Sequence, residues 1–271
     1  MKGRVSRTGS AAGRAVRAVT FDVGNTLFPF RRREMDRLLG RFLEFIEDRF
    51  GPCDREAVVR RYNEVRQEQY RVNLPWLREN DLVERVRLTL EAVVDEVDPE
   101  LLSDAVLAYV EALARTLSPA PGTRRLLEAL REVYPLGVIT NYPYAPGTRH
   151  VLKAHGLEDV FSAVVISAEW EFIKPHPLLF RQAAAQLGVP VENLLHVGDD
   201  WEADIIGATR AGASSVYFTG LREEPDPRRG DPEGRPLAEV DDLEELLDVL
   251  SVAPAGGRSR VQPTWPPAGC R

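Results

Sequence analysis

The sequence predicts an α/β protein in which a parallel sheet flanked by helices is interrupted by an all-helical insertion. Two features of the 271-residue chain support this prediction. Short apolar runs alternate with helical patterns over its second half, and the stretch between the first two runs carries helical patterns only. Strands that alternate with helices pair in parallel, because each helix returns the chain to the same end of the sheet.

Six apolar runs have the length of buried strands. They are Ala18–Val23, Leu136–Thr140, Ala163–Ser167, Leu194–Gly198, Ser215–Phe218 and Ala238–Val240. Apolar residues at helical spacing accompany the later runs, in Thr123–Val133, Pro177–Leu187, Glu202–Ala211 and Asp241–Leu250. This alternation is typical of a doubly wound, Rossmann-like core. We place that core at residues 16–28 and 119–250.

Residues 29–118 read as helices throughout. Apolar side chains recur at helical spacing from Met35 to Phe50, and Asp98-Pro99 is a favourable N-cap followed by proline at the first helical position. The insertion leaves the core just after the first strand. It is therefore expected to cover the carboxyl ends of the strands, where open α/β sheets bind their ligands.

Charge and cysteine usage limit the partners and the compartment. The net charge of −7 argues against a general affinity for nucleic acid or an anionic membrane, and no apolar segment is long enough to cross a bilayer. Cys53 and Cys270 match no metal or redox spacing, which favours free thiols in the cytoplasm. Residues 1–15 are basic and residues 251–271 are rich in Pro, Gly and Arg, so we expect a disordered extension and a disordered tail. The sequence leaves the oligomeric state open.

Polar side chains gather where the predicted strands end. They are Asp22, Thr140, Asn141, Lys174, Asp199, Asp200 and Asp204. Carboxylate oxygens are the ligands that Mg²⁺ prefers, and a lysine nearby offsets their charge. Lysine is scarce in this chain, occurring only at positions 2, 153 and 174. The combination favours phosphoryl transfer, in which positioning and charge stabilisation do most of the catalysis.

Four motifs occur in order at these strand ends: FDVGNTL from Phe21, LGVITN from Leu136, FIKPHP from Phe172 and HVGDDWEAD from His196. Together they resemble the haloacid dehalogenase superfamily, in its subgroup of aspartate-nucleophile phosphatases with a helical cap. The resemblance covers residues 16–250. It implies that residues 29–118 are the cap domain, called the cap below, and that the substrate is a small phosphorylated molecule.

The resemblance also implies roles for the site residues. Asp22 is implied to be the nucleophile, Lys174 its cationic partner, and Thr140 a ligand of the phosphoryl oxygens. Backbone and side-chain groups of the neighbouring residues are implied to bind substrate; these neighbours are Gly24, Asn25 and Asn141.

The implied metal is Mg²⁺. Asp22, the backbone carbonyl of Gly24 and Asp199 are implied to bind it directly. Asp200 and Asp204 are implied to hold it through water or to orient Lys174. Asp200 and Asp204 are also compatible with a purely structural role, in which acids near a helix N-terminus interact favourably with the helix dipole.

Position 24 departs from most phosphatases of this family, which have aspartate there as general acid and base. Such help is typically worth ~10²–10⁴-fold. Haloacid dehalogenases also lack that aspartate, but they lack the acidic cluster too. Phosphonate-cleaving members need a cap lysine, which residues 28–118 do not contain. The Gly24-Asn25 turn most resembles a third group, phosphatases of sugar phosphates. A catalytically weak protein that binds a phosphorylated metabolite or a protein partner is the alternative hypothesis.

Other polar residues near the motifs leave two interpretations. Arg31, Arg32 and Arg33 fit a solvated charge run or a contact with an anionic substrate equally well. His196 is expected to be a core histidine, and His176 is expected to begin a helix rather than act as an acid.

Overall fold

A computed structural model describes residues 6–7 and 15–251 of the chain. Its strands are β1 (Ser6–Arg7), β2 (Ala18–Phe21), β3 (Leu136–Thr140), β4 (Ala163–Ile166), β5 (Leu194–Gly198), β6 (Ser214–Phe218) and β7 (Ala238–Val240). Its α-helices are α1 (Arg32–Phe50), α2 (Arg55–Asn73), α3 (Leu82–Leu90), α4 (Pro99–Thr116), α5 (Thr123–Arg131), α6 (Ala145–Ala154), α7 (Pro177–Gln186), α8 (Gly207–Ala211) and α9 (Glu245–Val249). The predicted α/β class is confirmed.

The sheet has the strand order β1-β7-β6-β5-β2-β3-β4. All neighbouring pairs from β7 to β4 are parallel. β2 lies in the middle, with Phe21 paired to Val138 on β3 and to Val197 on β5. The order of the strands reverses at β2, and helices cover both faces, which explains why these strands are continuous apolar runs. Such a reversal opens a crevice at the carboxyl ends of the strands.

The first strand, β1, lies within the segment that the sequence analysis predicts to be disordered. Ser6 and Arg7 instead pair antiparallel with Glu239 and Ala238 of β7. Without this pairing β7 would be an edge strand with free backbone groups. The rest of the predicted extension before Ala15, and the predicted tail after Ser251, lie outside the described residues.

The cap contains α1 to α4, a 3₁₀ turn at Leu74–Trp76 and, within residues 29–118, no strand. Three of its helices begin at an aspartate whose carboxylate accepts a backbone N–H, as the capping preference requires. These aspartates are Asp54, Asp81 and Asp98. α1 packs on α4, where the rings of Phe42 and Tyr109 meet edge to face at 5.5 Å. One buried apolar cluster joins these helices to β2, so the cap is packed directly on the core.

Two helical segments also differ from the sequence-based prediction. The helix α6 is absent from it, because Pro146 and Gly147 at its start are typical of a loop. The predicted helix Glu202–Ala211 divides into a π-helix, Trp201–Ile206, and the short α8. π-helices are rare and often lie at functional sites. None of the helices in residues 15–251 has the length and apolarity needed to cross a bilayer.

Candidate active site

Three carboxylates meet at the carboxyl ends of the two central strands. Asp22 follows β2 and Asp199 follows β5, and the backbone N–H of Asp22 donates to Val197 at 2.9 Å. Asp204 reaches the same place from the π-helix. The three side chains offer oxygens that all lie within 4.8 Å of one another. Parallel pairing of β2 with β5 thus brings together acids that are far apart in sequence.

Lys174 is the cation at the centre of this cluster. Its Nζ donates to Asp22 Oδ1 at 2.7 Å, to Asp204 Oδ1 at 2.6 Å and to the carbonyl of Ile139 at 2.7 Å. The loop that carries Lys174 is fixed by Asn141, whose Oδ1 accepts the Lys174 N–H at 2.7 Å and whose Nδ2 donates to its carbonyl at 3.0 Å. Asn141, predicted to bind substrate, therefore also positions the lysine.

The ion pairs set the charges of this buried group. Burial alone would lower the pKa of Lys174, but Asp204 and Asp22 hold that pKa above its usual value. Burial would likewise raise the pKa of Asp204, but Lys174 and His196 hold it well below its usual range. Burial raises the pKa of Asp22, and Lys174 opposes that rise. The lysine is thus a permanent cation between two acids.

Asp199 faces the opposite balance. Burial and the charges of Asp22 and Asp204 raise its pKa to about 8, although Arg222 Nη1 donates to its Oδ2 at 2.9 Å. Negative charge is therefore in excess around Asp199. A hard cation would relieve this excess, and the oxygen donors present suit Mg²⁺ better than a metal that prefers nitrogen or sulfur. The residues fit the implied metal.

Asp204 and Asp200, to which the sequence analysis gives the same possible roles, lie in different surroundings. Both oxygens of Asp204 are engaged, Oδ1 by Lys174 and Oδ2 by the backbone N–H of Asp200 at 3.0 Å. The Asp200 side chain is exposed and accepts the N–H of Ala203 at 2.8 Å, as an N-cap of the π-helix. Asp204 thus orients Lys174, whereas Asp200 lies at the rim of the cluster.

The turn after Asp22 borders a cavity of about 220 Å³ between the core and the cap. Gly24, Thr140 and Asn141 line it from the core side. Asn25 has a positive φ of 55°, and its Oδ1 accepts the N–H of Phe30 at 2.9 Å, which holds the turn. A Cβ built on Gly24 would meet only Phe30 Cβ, at 3.9 Å. The place of the missing acid is therefore open space.

The two histidines near the motifs have structural positions. His196 is fully buried, with Nε2 3.0 Å from Asp204 Oδ1 and Nδ1 3.0 Å from Thr20 Oγ1. Its ring contacts the Asp204 carboxylate and helps to fix the position of that carboxylate. His176 is the N-cap of α7 and its Nδ1 accepts the N–H of Leu178. Both contacts agree with the sequence-based expectation.

The arginines that follow the turn make other contacts. Arg31 Nε donates to the carbonyl of Leu221 at 2.7 Å, and Arg33 pairs with Glu34. Neither they nor Arg32 line the cavity.

Arg222 is a residue at the catalytic edge that the sequence patterns did not predict to be part of the site. Its guanidinium bridges Asp199 and Asp226, and the Asp226 carboxylate also accepts the N–H of Trp201 at 2.8 Å. One signal was available, because Arg222 lies four residues after β6 and so at the same edge of the sheet.

Comparisons with known proteins agree with this geometry. A model of haloacid dehalogenase-like hydrolases matches residues 16–212. A glyceraldehyde 3-phosphate phosphatase of Methanopyrus kandleri is 33% identical over 238 residues, which cover 87% of this chain and 97% of that protein.

Solved structures share the fold. A 2-haloacid dehalogenase of Pseudomonas syringae has a TM-score of 0.68 at 23% identity, covering 87% of this chain and 98% of that one. A HAD phosphatase of Thermococcus onnurineus has a TM-score of 0.63 at 24% identity, covering 89% and 100%. The resemblance of the four motifs is thereby confirmed, and the chain belongs to the haloacid dehalogenase-like hydrolases.

Proposed function

We propose that this protein is a Mg²⁺-dependent phosphatase of a small phosphorylated metabolite, and that Asp22 carries the phosphoryl group as an aspartyl phosphate. The strongest support is the buried contact of 2.7 Å between Asp22 and Lys174, beside Asp199 and next to the cavity between core and cap. The relative that spans nearly the whole chain is named as a phosphatase of a three-carbon phosphate, which agrees with a substrate of this class.

The chain supplies the nucleophile and its orientation. Lys174 donates to Asp22 Oδ1, which leaves Oδ2 as the oxygen that attacks phosphorus. Asp204 and the carbonyl of Ile139 fix the lysine, so the nucleophile is held before substrate arrives. Attack forms the bond from Asp22 to phosphorus and breaks the bond from phosphorus to the substrate oxygen. The departing oxygen takes its proton from solvent, because residue 24 has no acid.

Water completes the reaction. It attacks the phosphorus of the aspartyl phosphate, releases inorganic phosphate and restores the Asp22 carboxylate. Thr140, at the end of β3, and the backbone around Gly24 and Asn25 are the groups proposed to hold the phosphoryl oxygens. Asp22, Asp199 and the Gly24 carbonyl are the groups proposed to hold Mg²⁺. The metal, when bound, neutralises charge on the carboxylates and on the transferred group.

We also propose that the protein works in the cytoplasm on a diffusible substrate, without nucleic acid or membrane as partner. The acidic composition and the free thiol of Cys53 support this.

Phosphate release from an aryl phosphate, with and without Mg²⁺, tests the proposed function. An aryl phosphate has a good leaving group and so tolerates the missing acid. Turnover that requires Mg²⁺, together with acid-stable labelling of Asp22 from a ³²P-substrate after rapid quenching, is the expected result. Binding of the ester without turnover would favour the non-catalytic alternative, and activity without any metal would revive dehalogenase-like chemistry.

A further inference from the structure

The cavity next to the strand ends holds a buried arginine with neutral partners. Arg85 on α3 is 4% exposed. Its Nε and Nη2 donate to Gln69 Oε1 at 3.0 and 2.8 Å, and its Nη1 lies 3.4 Å from the hydroxyl of Tyr62. Among the described residues, no carboxylate lies within ion-pair distance of it. A buried cation without a counter-charge is unfavourable, which indicates that the charge has a use.

Glu79 is the acid whose charge interacts with Arg85, but both of its carboxylate oxygens are hydrogen-bonded to other residues. One of its oxygens accepts the N–H of Asn80 at 2.7 Å, and the other accepts the hydroxyl of Ser167. Burial raises the pKa of Glu79, against a smaller opposing effect of Arg85. Glu79 therefore does not complete an ion pair with the guanidinium.

Phenol groups surround the arginine. The hydroxyls of Tyr62 and Tyr109 are 2.7 Å apart, so one of them donates to the other. The hydroxyl of Tyr142 is buried and, within the described chain, has no hydrogen-bond partner. Burial raises the pKa of Tyr142, which keeps this group a neutral O–H donor. An unpaired buried donor is costly, and other atoms of the Tyr142 side chain line the same cavity as Arg85.

The unused donors match one kind of ligand. Three of the five N–H groups of Arg85 are engaged, which leaves one N–H on each terminal nitrogen. A planar carboxylate can accept both, and the Tyr142 hydroxyl is a third donor. Both arginines of this cavity stack on tyrosine rings, Arg85 on Tyr62 at 5.6 Å and Arg66 on Tyr70 at 5.4 Å. Arg66 is only half-buried, so Arg85 is the buried charge of the two. A second phosphate would bring more charge than one buried guanidinium matches.

We propose that Arg85 and Tyr142 bind a carboxylate of the substrate, so that the preferred substrates are phosphate esters of short hydroxy acids. The cavity joins these residues to Gly24 and Thr140 at the catalytic edge, so one small molecule can occupy both places. This inference rests on the proposed phosphatase function, since the other end of the molecule is placed at Asp22. Specificity then comes from the cap, and chemistry from the core.

The test compares two esters of nearly equal shape, O-phosphoglycolate and the phosphate ester of glycolamide. The measured quantity is the ratio of kcat/KM for the acid to kcat/KM for the amide, in the wild type, Arg85→Met and Arg85→Lys. The intrinsic reactivity of each ester is the same for every variant, so differences in the ratio between variants report recognition of the carboxylate. Arg87→Met is the matched control, because Arg87 lies on the same helix and pairs with Glu84 and Glu91.

We expect the wild type to prefer the acid, and Arg85→Met to lower the ratio about 10–100-fold, which is the usual worth of a hydrogen bond to a charged group. Arg85→Lys should retain part of the preference, and Arg87→Met all of it. Tyr142→Phe should lower the ratio by a smaller factor. Far-ultraviolet circular dichroism confirms that each variant is folded.

Three results overturn the inference. An unchanged ratio in a folded Arg85→Met protein means that Arg85 does not read the carboxylate. A higher kcat/KM of the wild type for the amide ester than for O-phosphoglycolate excludes a carboxylate as the preferred ligand. A higher kcat/KM for ethane-1,2-diol bisphosphate than for O-phosphoglycolate excludes it too. Failure of the proposed function looks different, because the wild type would then hydrolyse neither these esters nor an aryl phosphate with Mg²⁺ present.

Discussion

Lys174 in the core and Arg85 in the cap are both buried cations, yet their surroundings differ. Lys174 lies between the carboxylates of Asp22 and Asp204 at 2.7 and 2.6 Å. Arg85 contacts the amide of Gln69 and the phenol of Tyr62, neither of which is charged. Lys174 is thus paired with carboxylates before substrate arrives, whereas the charge of Arg85 is matched only when its ligand binds.

This difference separates the two tasks of the enzyme. A nucleophile must be oriented in advance, because any reorganisation during the reaction adds to the barrier. A specificity site gains from an unsatisfied charge, because a ligand without the matching group then leaves that charge unpaired. A buried charge without a counter-charge is unfavourable. Carboxylates remove this cost at Lys174 in the core, whereas Arg85 in the cap retains it.

The largest expected effect comes from removing the nucleophile. Asp22→Asn keeps the shape and one acceptor for Lys174 but cannot form the aspartyl phosphate, which is an acyl phosphate, so kcat should fall at least ~10³-fold. Phosphate release from an aryl phosphate measures it. Asp36→Asn, an exposed acid on α1, is the control and should behave as wild type. Substantial activity in Asp22→Asn would assign the nucleophile to another residue.

Removal of the metal should also abolish phosphatase activity. Exhaustive treatment with EDTA should abolish turnover, and added Mg²⁺ should restore it, because Asp199 and Asp22 crowd negative charge that a cation must offset. Thermal unfolding gives a second measurement, since a ligand that binds only the folded state raises Tm. Full activity and an unchanged Tm after EDTA would contradict the metal site.

Stability should separate the two cations directly. Lys174→Met strands two buried carboxylates and should lower the free energy of unfolding by about 3–5 kcal/mol. Arg85→Met strands no carboxylate and breaks only hydrogen bonds to neutral partners, so its cost should be smaller, about 1–3 kcal/mol. Urea denaturation measures both, with Lys153→Met on the exposed side of α6 as control. Equal losses at 174 and 85 would make Arg85 a structural residue and remove the contrast.

The sequence predicts the core site far better than the cap site. Asp22, Lys174 and Asp199 each follow a recognisable strand, and parallel strands must end together, so their meeting follows from the pattern alone. Arg85 and Tyr142 come from a cap helix and a core loop, and nothing in LVERVRLTL distinguishes a buried arginine from an exposed one. Arg222 and the support of Asp204 by His196 likewise depend on how loops and strands pack, which local periodicity does not encode.

The smallest expected effect concerns the missing acid. Because residue 24 is glycine, an alkoxide must leave nearly unaided, and we expect kcat/KM to fall steeply as the leaving-group pKa rises across a series from aryl to alkyl phosphates. In Gly24→Asp the new carboxyl can protonate that oxygen. The backbone permits it, because φ at Gly24 is not in the left-handed region and the new Cβ meets only Phe30 Cβ at 3.9 Å.

Gly24→Asp should narrow the difference in kcat/KM between alkyl and aryl phosphates by at least about 10-fold, a bound set below the ~10²–10⁴-fold typical of general acid catalysis. Gly40→Asp, in α1 with nothing near its Cβ, tests for a general effect of added charge and should leave the gap unchanged. A shallow dependence in the wild type would mean that another group donates the proton.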